Sequence, residues 1–224
     1  MIKHHPQQAL LDAHAQAQLP LSMTIAVAAH CEMCPTCQQY LEQRQDYIAA
    51  QTLTSADNCT DDSNGDEIDL QDDWSTMIDD ITALPPEELA PFKPDIVEIK
   101  QRNYHLPRAF KHRVSRDWST LGKISRMRLG IDENDSRASL LHIDAGGDIP
   151  EHGHGAQEMT LLLAGEFSDE YNQYQAGDFI VLDKNHKHSP STIEGCLCYT
   201  VVDAPLHFTK GISKLLNPIG KLIY

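Results

Sequence analysis

Long apolar runs are missing from this chain. No window approaches the roughly 18 consecutive apolar residues that a helix needs to cross a bilayer, so no membrane segment is expected. The opening stretch, MIKHHPQQALLDAH, also lacks the apolar core and small-residue cleavage site of a secretory signal, and a cytoplasmic location with reduced thiols is expected. Basic residues are scarce: 18 Lys and Arg stand against 33 Asp and Glu, a formal charge of -15. That balance argues against direct nucleic-acid or anionic-membrane binding, which needs a basic face, and favours a basic protein partner. The shortage is local. From Gln45 to Phe92 there is no Lys or Arg, while 13 of the acidic residues fall there.

A length of 224 residues accommodates two domains, and the pattern changes at about the right place. Upstream, PQQALLDAHAQAQ, LSMTIAVAAH and CQQYLEQRQDYIAAQ read as helices separated by Pro20 and Pro35, with Ser22 able to cap the second and Pro35 suited to the first turn of the third. TSADNCTDDSNGDE has the composition of a loop. DLQDDWSTMIDDITAL then places Leu70, Trp74, Met77, Ile78 and Ile81 at helical spacing, an apolar stripe suited either to a core or to a partner helix. Pro85, Pro86, Pro91 and Pro94 mark a linker near 85–95. Downstream, ASLLHIDA, EMTLLLAGEF, DFIVLD and CLCYTVVDA read as strands divided by turn residues. An α + β two-domain chain is expected, all-α first and all-β second.

Six cysteines and twelve histidines make metal binding the leading chemistry. His30, Cys34 and Cys37 are spaced four and three apart, which brings them to one side of a helix or helix junction. The His4–His5 pair can supply a fourth ligand by folding back, giving a closed Cys2His2 zinc site that staples a small helical unit. CPTC as a redox pair is the rival reading, but it needs a preceding strand where the alanine-rich MTIAVAAH reads as helix. Cys31 lies off the spacing. Downstream, His152, His154 and Glu158 share parity, so one strand could aim all three inward, and His188 could reach them from an antiparallel neighbour. Three imidazoles and a carboxylate suit zinc, manganese, iron or nickel. Cys196 and Cys198 share parity too and read as small packed hydrophobes.

The spacing Gly146, five residues, His152-x-His154, three residues, Glu158, six residues, Gly165 resembles the first motif of the cupin family. Gly177 and His188 have the separation of its second motif, with Asp183 and Asn185 where the family usually has Pro and Gly, and His186 as a substitute for His188. With HxxxCxxC in the helical half, the chain resembles ChrR-type zinc-binding anti-sigma factors. That resemblance implies a zinc-binding helical domain over residues 1–90 with zinc roles for His5, His30, Cys34 and Cys37. It implies a metal-binding cupin barrel over 95–206, leaving 207–224 as an extension. It further implies an extracytoplasmic-function (ECF) sigma factor as partner, held inactive by the helical half and released on oxidative signals such as singlet oxygen sensed by the cupin. The alternative is a metal-dependent cupin enzyme, a dioxygenase or isomerase, with an accessory helical segment.

Overall fold

The computed structural model describes residues 1–56, 71–85, 96–114, 117–131, 133, 136–153, 155, 157–203 and 207–208. Among the described residues four helices come first: α1 (Gln8–Ala15), α2 (Leu21–Met33), α3 (Pro35–Ala56) and α4 (Gln71–Ala83). Pro35 opens α3 as expected, because the N–H that proline lacks has no helical acceptor at that position. Ser22 does not cap α2. Pro20 occupies the cap, and Ser22 sits inside the first turn, where its N–H and hydroxyl both bond the carboxylate of Glu133, 111 residues away. A distant anion thus does the work a local cap would have done, with the favourable sign for a helix N-terminus. The helices are also tied side to side: Asp12 on α1 accepts the Tyr40 hydroxyl (2.8 Å) and pairs with Arg44 (3.0 Å) on α3.

Twelve strands follow among the described residues: β1 (Ile96–Ile99), β2 (Arg102–His105), β3 (Ser119–Leu121), β4 (Ile124–Arg128), β5 (Arg137–Ile143), β6 (His152–Gly153), β7 (Glu158–Ser168), β8 (Gln173–Gln175), β9 (Phe179–Leu182), β10 (Lys187–His188), β11 (Cys196–Val202) and β12 (His207–Phe208). β1 and β2 form a hairpin. The main sheet runs β3-β4-β5-β11-β7-β8 with β9 also on β7, and a small sheet runs β10-β6-β12. Every recorded pairing is antiparallel. The four apolar runs read from the sequence became β5, β7, β9 and β11. The eight others are two to five residues long and too short or too polar to show a period.

β11 lies between β5 and β7 and is buried on both faces, which explains its unbroken apolar run. One face sends Cys196 and Cys198 among Ile143, Leu162, Phe167 and Ile180. The other sends Leu197, Tyr199 and Val201 into a second core shared with Leu11, Ile25, Ala26, Val27 and Phe110. Helices α1 and α2 therefore bury their apolar residues against the sheet. At about 1.5–3 kcal/mol for each fully buried large aliphatic or aromatic side chain, this shared core is a main source of stability.

Compactness cuts the chain differently from composition. Residues 1–48 and 94–224 form one unit, and residues 49–93 form the other, holding the end of α3 and all of α4. The physical reason is that α1 and α2 are too short to close a core alone and complete it on the sheet. Within the second unit, Trp74, Met77, Ile78 and Ile81 on α4, and Leu84 just beyond it, are exposed. Leu70, the acidic loop and residues 86–95 of the expected linker lie outside the described residues, as does nearly all of 207–224.

Candidate metal centres

The first cluster forms where α2 gives way to α3. His30 is in the last turn of α2, Cys34 is its extended C-cap, and Cys37 is in the first turn of α3. The break at Pro35 turns the two sulfurs toward the same side as His30. His5 comes from the segment before α1, and its Nδ1 lies 3.5 Å from the Cys34 sulfur and 3.4 Å from that of Cys37. Candidate ligand atoms of His5, His30, Cys34 and Cys37 all lie within 4.8 Å of one another. His4 stands aside, its ring against Tyr174.

The protonation of this cluster fits a metal. His30 Nδ1 bonds the Gly177 carbonyl at 2.8 Å, which places the ring proton there and leaves Nε2 as the lone-pair nitrogen. That Nε2 is buried and has no hydrogen-bond partner. Burial first, opposed by the Gly177 bond and aided by His5, pushes the His30 pKa down to about 4, so the ring is neutral at pH 7. Burial and the neighbouring Cys34 push the Cys37 thiol up to about 12. Two buried sulfurs and two nitrogens converging in this way suit a dication of intermediate softness, which would draw off the thiol protons. His5 leaves one side exposed.

The second cluster is in the β half. His152 on β6 and His188 on β10 are direct register partners, and their Nε2 atoms are 3.1 Å apart. Glu158 opens β7 and brings Oε2 to 3.5 Å from His188 Nε2. All three side chains are buried, with candidate ligand atoms within 4.8 Å of one another. His152 Nδ1 is 2.9 Å from the Pro150 carbonyl, and His188 Nδ1 is 3.2 Å from Asp169. Each outer contact directs Nε2 of its ring inward, the arrangement that orients imidazoles toward a metal. Burial opposes charge on His188, but hydrogen bonds and charge from Asp169 and Glu158 prevail and raise its pKa to about 9. The acidic neighbours therefore favour positive charge on His188, at the point where the three side chains converge.

One expectation is corrected here. His152 and Glu158 do not share a strand: β6 ends at Gly153 and β7 begins at Glu158. The shared parity was coincidental to their convergence, which comes from β6, β7 and β10 meeting. His154 lies outside the described residues.

A family model described as the ChrR cupin-like domain matches residues 109–205. The chain is 28% identical over 227 residues to the Anti-sigma-E factor ChrR of Cereibacter sphaeroides, covering 99% of both chains. Its structure also matches a chain in the crystal structure of Rhodobacter sphaeroides SigE in complex with the anti-sigma ChrR. There the TM-score is 0.63 and the identity 26%, over 91% of this chain and 100% of that one. The similarity to ChrR thus extends over 99% of the chain.

The departures at Asp183 and Asn185 have a local explanation. The Asp183 carboxylate accepts the Asn185 N–H at 2.8 Å, and its carbonyl accepts the His186 N–H at 3.1 Å, so a side-chain turn replaces the usual Pro and Gly. His186 is drawn to Asp183 at 2.7 Å and is not part of the metal cluster. Cys196 and Cys198 are buried with their sulfurs 4.0 Å apart inside the sheet core. Cys31 is buried beside the first cluster, outside the ligand group, and burial and Cys34 raise its pKa to about 11.

Two contributors were not singled out from the sequence, Asp169 and Gly177 in its role as a carbonyl acceptor. Asp169 is one of many acidic residues, and a backbone carbonyl has no sequence signal.

Proposed function

We propose that this chain is an anti-sigma factor that binds and inhibits an ECF sigma factor of the sigma-E type. The observation that carries the proposal is similarity over 99% of both chains to a protein named Anti-sigma-E factor ChrR, supported by the match to a chain crystallised with SigE. A regulator accounts for the chain better than a dioxygenase or isomerase, because the full-length relative is a regulatory protein and not an enzyme. The partner is the sigma factor, with no direct contact to nucleic acid. No described helix is long and apolar enough to cross a membrane, and the site of action in this proposal is the cytoplasm.

In this reading the helical domain, residues 1–90, grips the sigma factor, and zinc bound by His5, His30, Cys34 and Cys37 holds α2 and α3 at their junction. The exposed stripe of Trp74, Met77, Ile78 and Ile81 supplies apolar contact surface. The cupin domain, residues 95–206, holds zinc or another divalent metal through His152, His154, Glu158 and His188. It acts as the sensory half, where oxidative signals such as singlet oxygen lead to release. Imidazole and thiol groups near that site are oxidisable, which makes the reading chemically reasonable.

The test is affinity capture of the full tagged chain from its native cell, with Cys34→Ser/Cys37→Ser alongside. Recovery of one sigma factor in equimolar amount by the wild-type chain, and its loss from the zinc-free variant, is expected. A folded, zinc-loaded wild-type chain that brings down no sigma factor would overturn the proposal.

A further inference from the structure

Three consecutive residues in and after the turn between β8 and β9 hold either the helical metal cluster or the segment that leads into it. The Gly177 carbonyl accepts His30 Nδ1 at 2.8 Å. One oxygen of Asp178 accepts the backbone N–H groups of Lys3 (2.8 Å) and His4 (3.0 Å), and the other accepts that of Gln175 (2.9 Å). The Phe179 N–H donates to the His4 carbonyl at 3.0 Å, and its ring stands edge-on to His30. The fit is close, since a Cβ at Gly177 would come within 2.3 Å of Ile2, and Gly177 has a φ of +96° that disfavours other residues.

This matters because His5 is the ligand with the least support of its own. It precedes α1, is exposed, and belongs to a segment without helical or strand structure. Fixing a backbone residue costs about 1–2 kcal/mol of entropy, so an unanchored strap would leave His5 sampling many positions. Asp178 is fully buried and spends one oxygen on the two residues directly before His5. A buried carboxylate bonded to backbone N–H groups is a strong, directional anchor.

We infer that Asp178 is a positioning residue for the helical metal site: by holding the backbone of Lys3 and His4, it presents His5 to Cys34 and Cys37. The affinity of the helical cluster for metal is then set in part by a turn of the β half. The inference rests on the metal reading of that cluster made above.

The test uses the full chain as wild type, D178A, D178N, H5A and H5A/D178A. Cobalt(II) is titrated while the thiolate-to-cobalt absorption is followed, a band to which a site of His and Glu ligands does not contribute, and zinc is then competed against a chromophoric chelator. D178A should lower cobalt and zinc affinity about tenfold or more, as outer partners of metal ligands commonly do, and weaken the visible bands of four-coordinate cobalt as water replaces His5. D178N keeps an acceptor oxygen for Lys3 and His4 and should recover most of the loss. In the H5A background, D178A should change affinity by less than about twofold, because the ligand it positions is gone; a purely structural role would lower both backgrounds alike. If D178A does not fold, His4→Pro removes one donor on the strap side and leaves the turn intact, and it should weaken binding severalfold.

D178A affinity and spectrum equal to wild type would overturn the positioning role. Absence of any thiolate-to-cobalt band in the wild-type chain would instead overturn the metal reading itself.

Discussion

The hydroxyl of Tyr199, in the middle of β11, donates to the carbonyl of Ser22 in the first turn of α2 at 3.0 Å, across 177 residues of sequence. Glu133 holds the N–H and hydroxyl of the same serine. The start of α2 is therefore clasped from two sides by the β half. Tyr199 is fully buried, and burial raises its pKa well above the usual phenol range, so it remains a donor throughout any practical pH range.

Tyr199→Phe should destabilise the chain by about 1 kcal/mol, the usual net value of a buried hydrogen bond, and Glu133→Ala by a similar amount through loss of a helix N-terminal anion. Chemical denaturation followed by circular dichroism reads both. Because the two bonds share Ser22, the double variant should depart from additivity, whereas independent effects would show that the clasp does not act as one unit.

Glu166 gives a pH-dependent prediction away from both metal clusters. One of its oxygens accepts the Thr192 hydroxyl (3.0 Å) and the N–H groups of Ile193 (2.8 Å) and Glu194 (3.2 Å). Burial opposes the charge, but these three donors prevail and hold the carboxyl below its usual pKa. A folded-state pKa depressed below the unfolded one contributes stability that is full above the unfolded value and lost as pH falls through the folded value. Glu166→Gln should thus cost on the order of 1 kcal/mol at pH 7, moderated by partial exposure, and the difference should shrink below about pH 4. Denaturation midpoints at pH 3.5, 5 and 7 check this; a gap independent of pH would remove the electrostatic explanation.

The helical and strand-rich halves were legible because periodicity survives where one element is long enough to show it. HxxxCxxC gave three members of the first cluster, since a helix and its junction fix their offsets. His5 needed the ChrR resemblance, because a histidine on an irregular strap has no local spacing to the others. In the second cluster the residue types were legible but the parity argument was not sound, as His152 and Glu158 converge from separate strands. The partnership of α1 and α2 with β11 was hidden for a general reason: the apolar residues of α2 read equally well as the core of a helical bundle. Ser22 looked like a cap because its competitor, Glu133, is brought there only by the tertiary fold.

The two clusters should respond differently to acid. In the first, His30 is already neutral at pH 7 and adds no proton to be displaced, whereas Cys37 must lose one. In the second, His188 with a pKa of about 9 is charged at pH 7 and must release its proton before Nε2 can bind a metal. With the first site removed by Cys34→Ser/Cys37→Ser, the logarithm of zinc affinity should rise with pH by about one unit per pH unit from 6.5 to 8 and flatten above 9. Isothermal titration in buffers of different ionisation enthalpy would count the released protons directly. An affinity flat across that interval would show that His188 is not a ligand or is not charged in the free protein.

The last prediction concerns α4. Trp74 is 56% exposed and Ile78 55% exposed, an uncommon amount of apolar surface on one short helix whose remaining surface carries Asp79 and Asp80. Exposed stripes of this kind commonly mark contact surfaces, and tryptophan contributes more to such contacts than most residues. Truncating an exposed residue removes few internal contacts, so Trp74→Ala should change the denaturation midpoint of the isolated chain little. The same change should weaken sigma-factor binding by about 2 kcal/mol, or roughly thirtyfold in Kd, mainly through faster dissociation. Asp79→Lys/Asp80→Lys should act on association instead, slowing it at low salt and converging with wild type as salt screens the charges. Surface plasmon resonance at two salt concentrations separates the two effects. Unchanged dissociation with Trp74→Ala would remove α4 from the interface and leave its apolar stripe to another role.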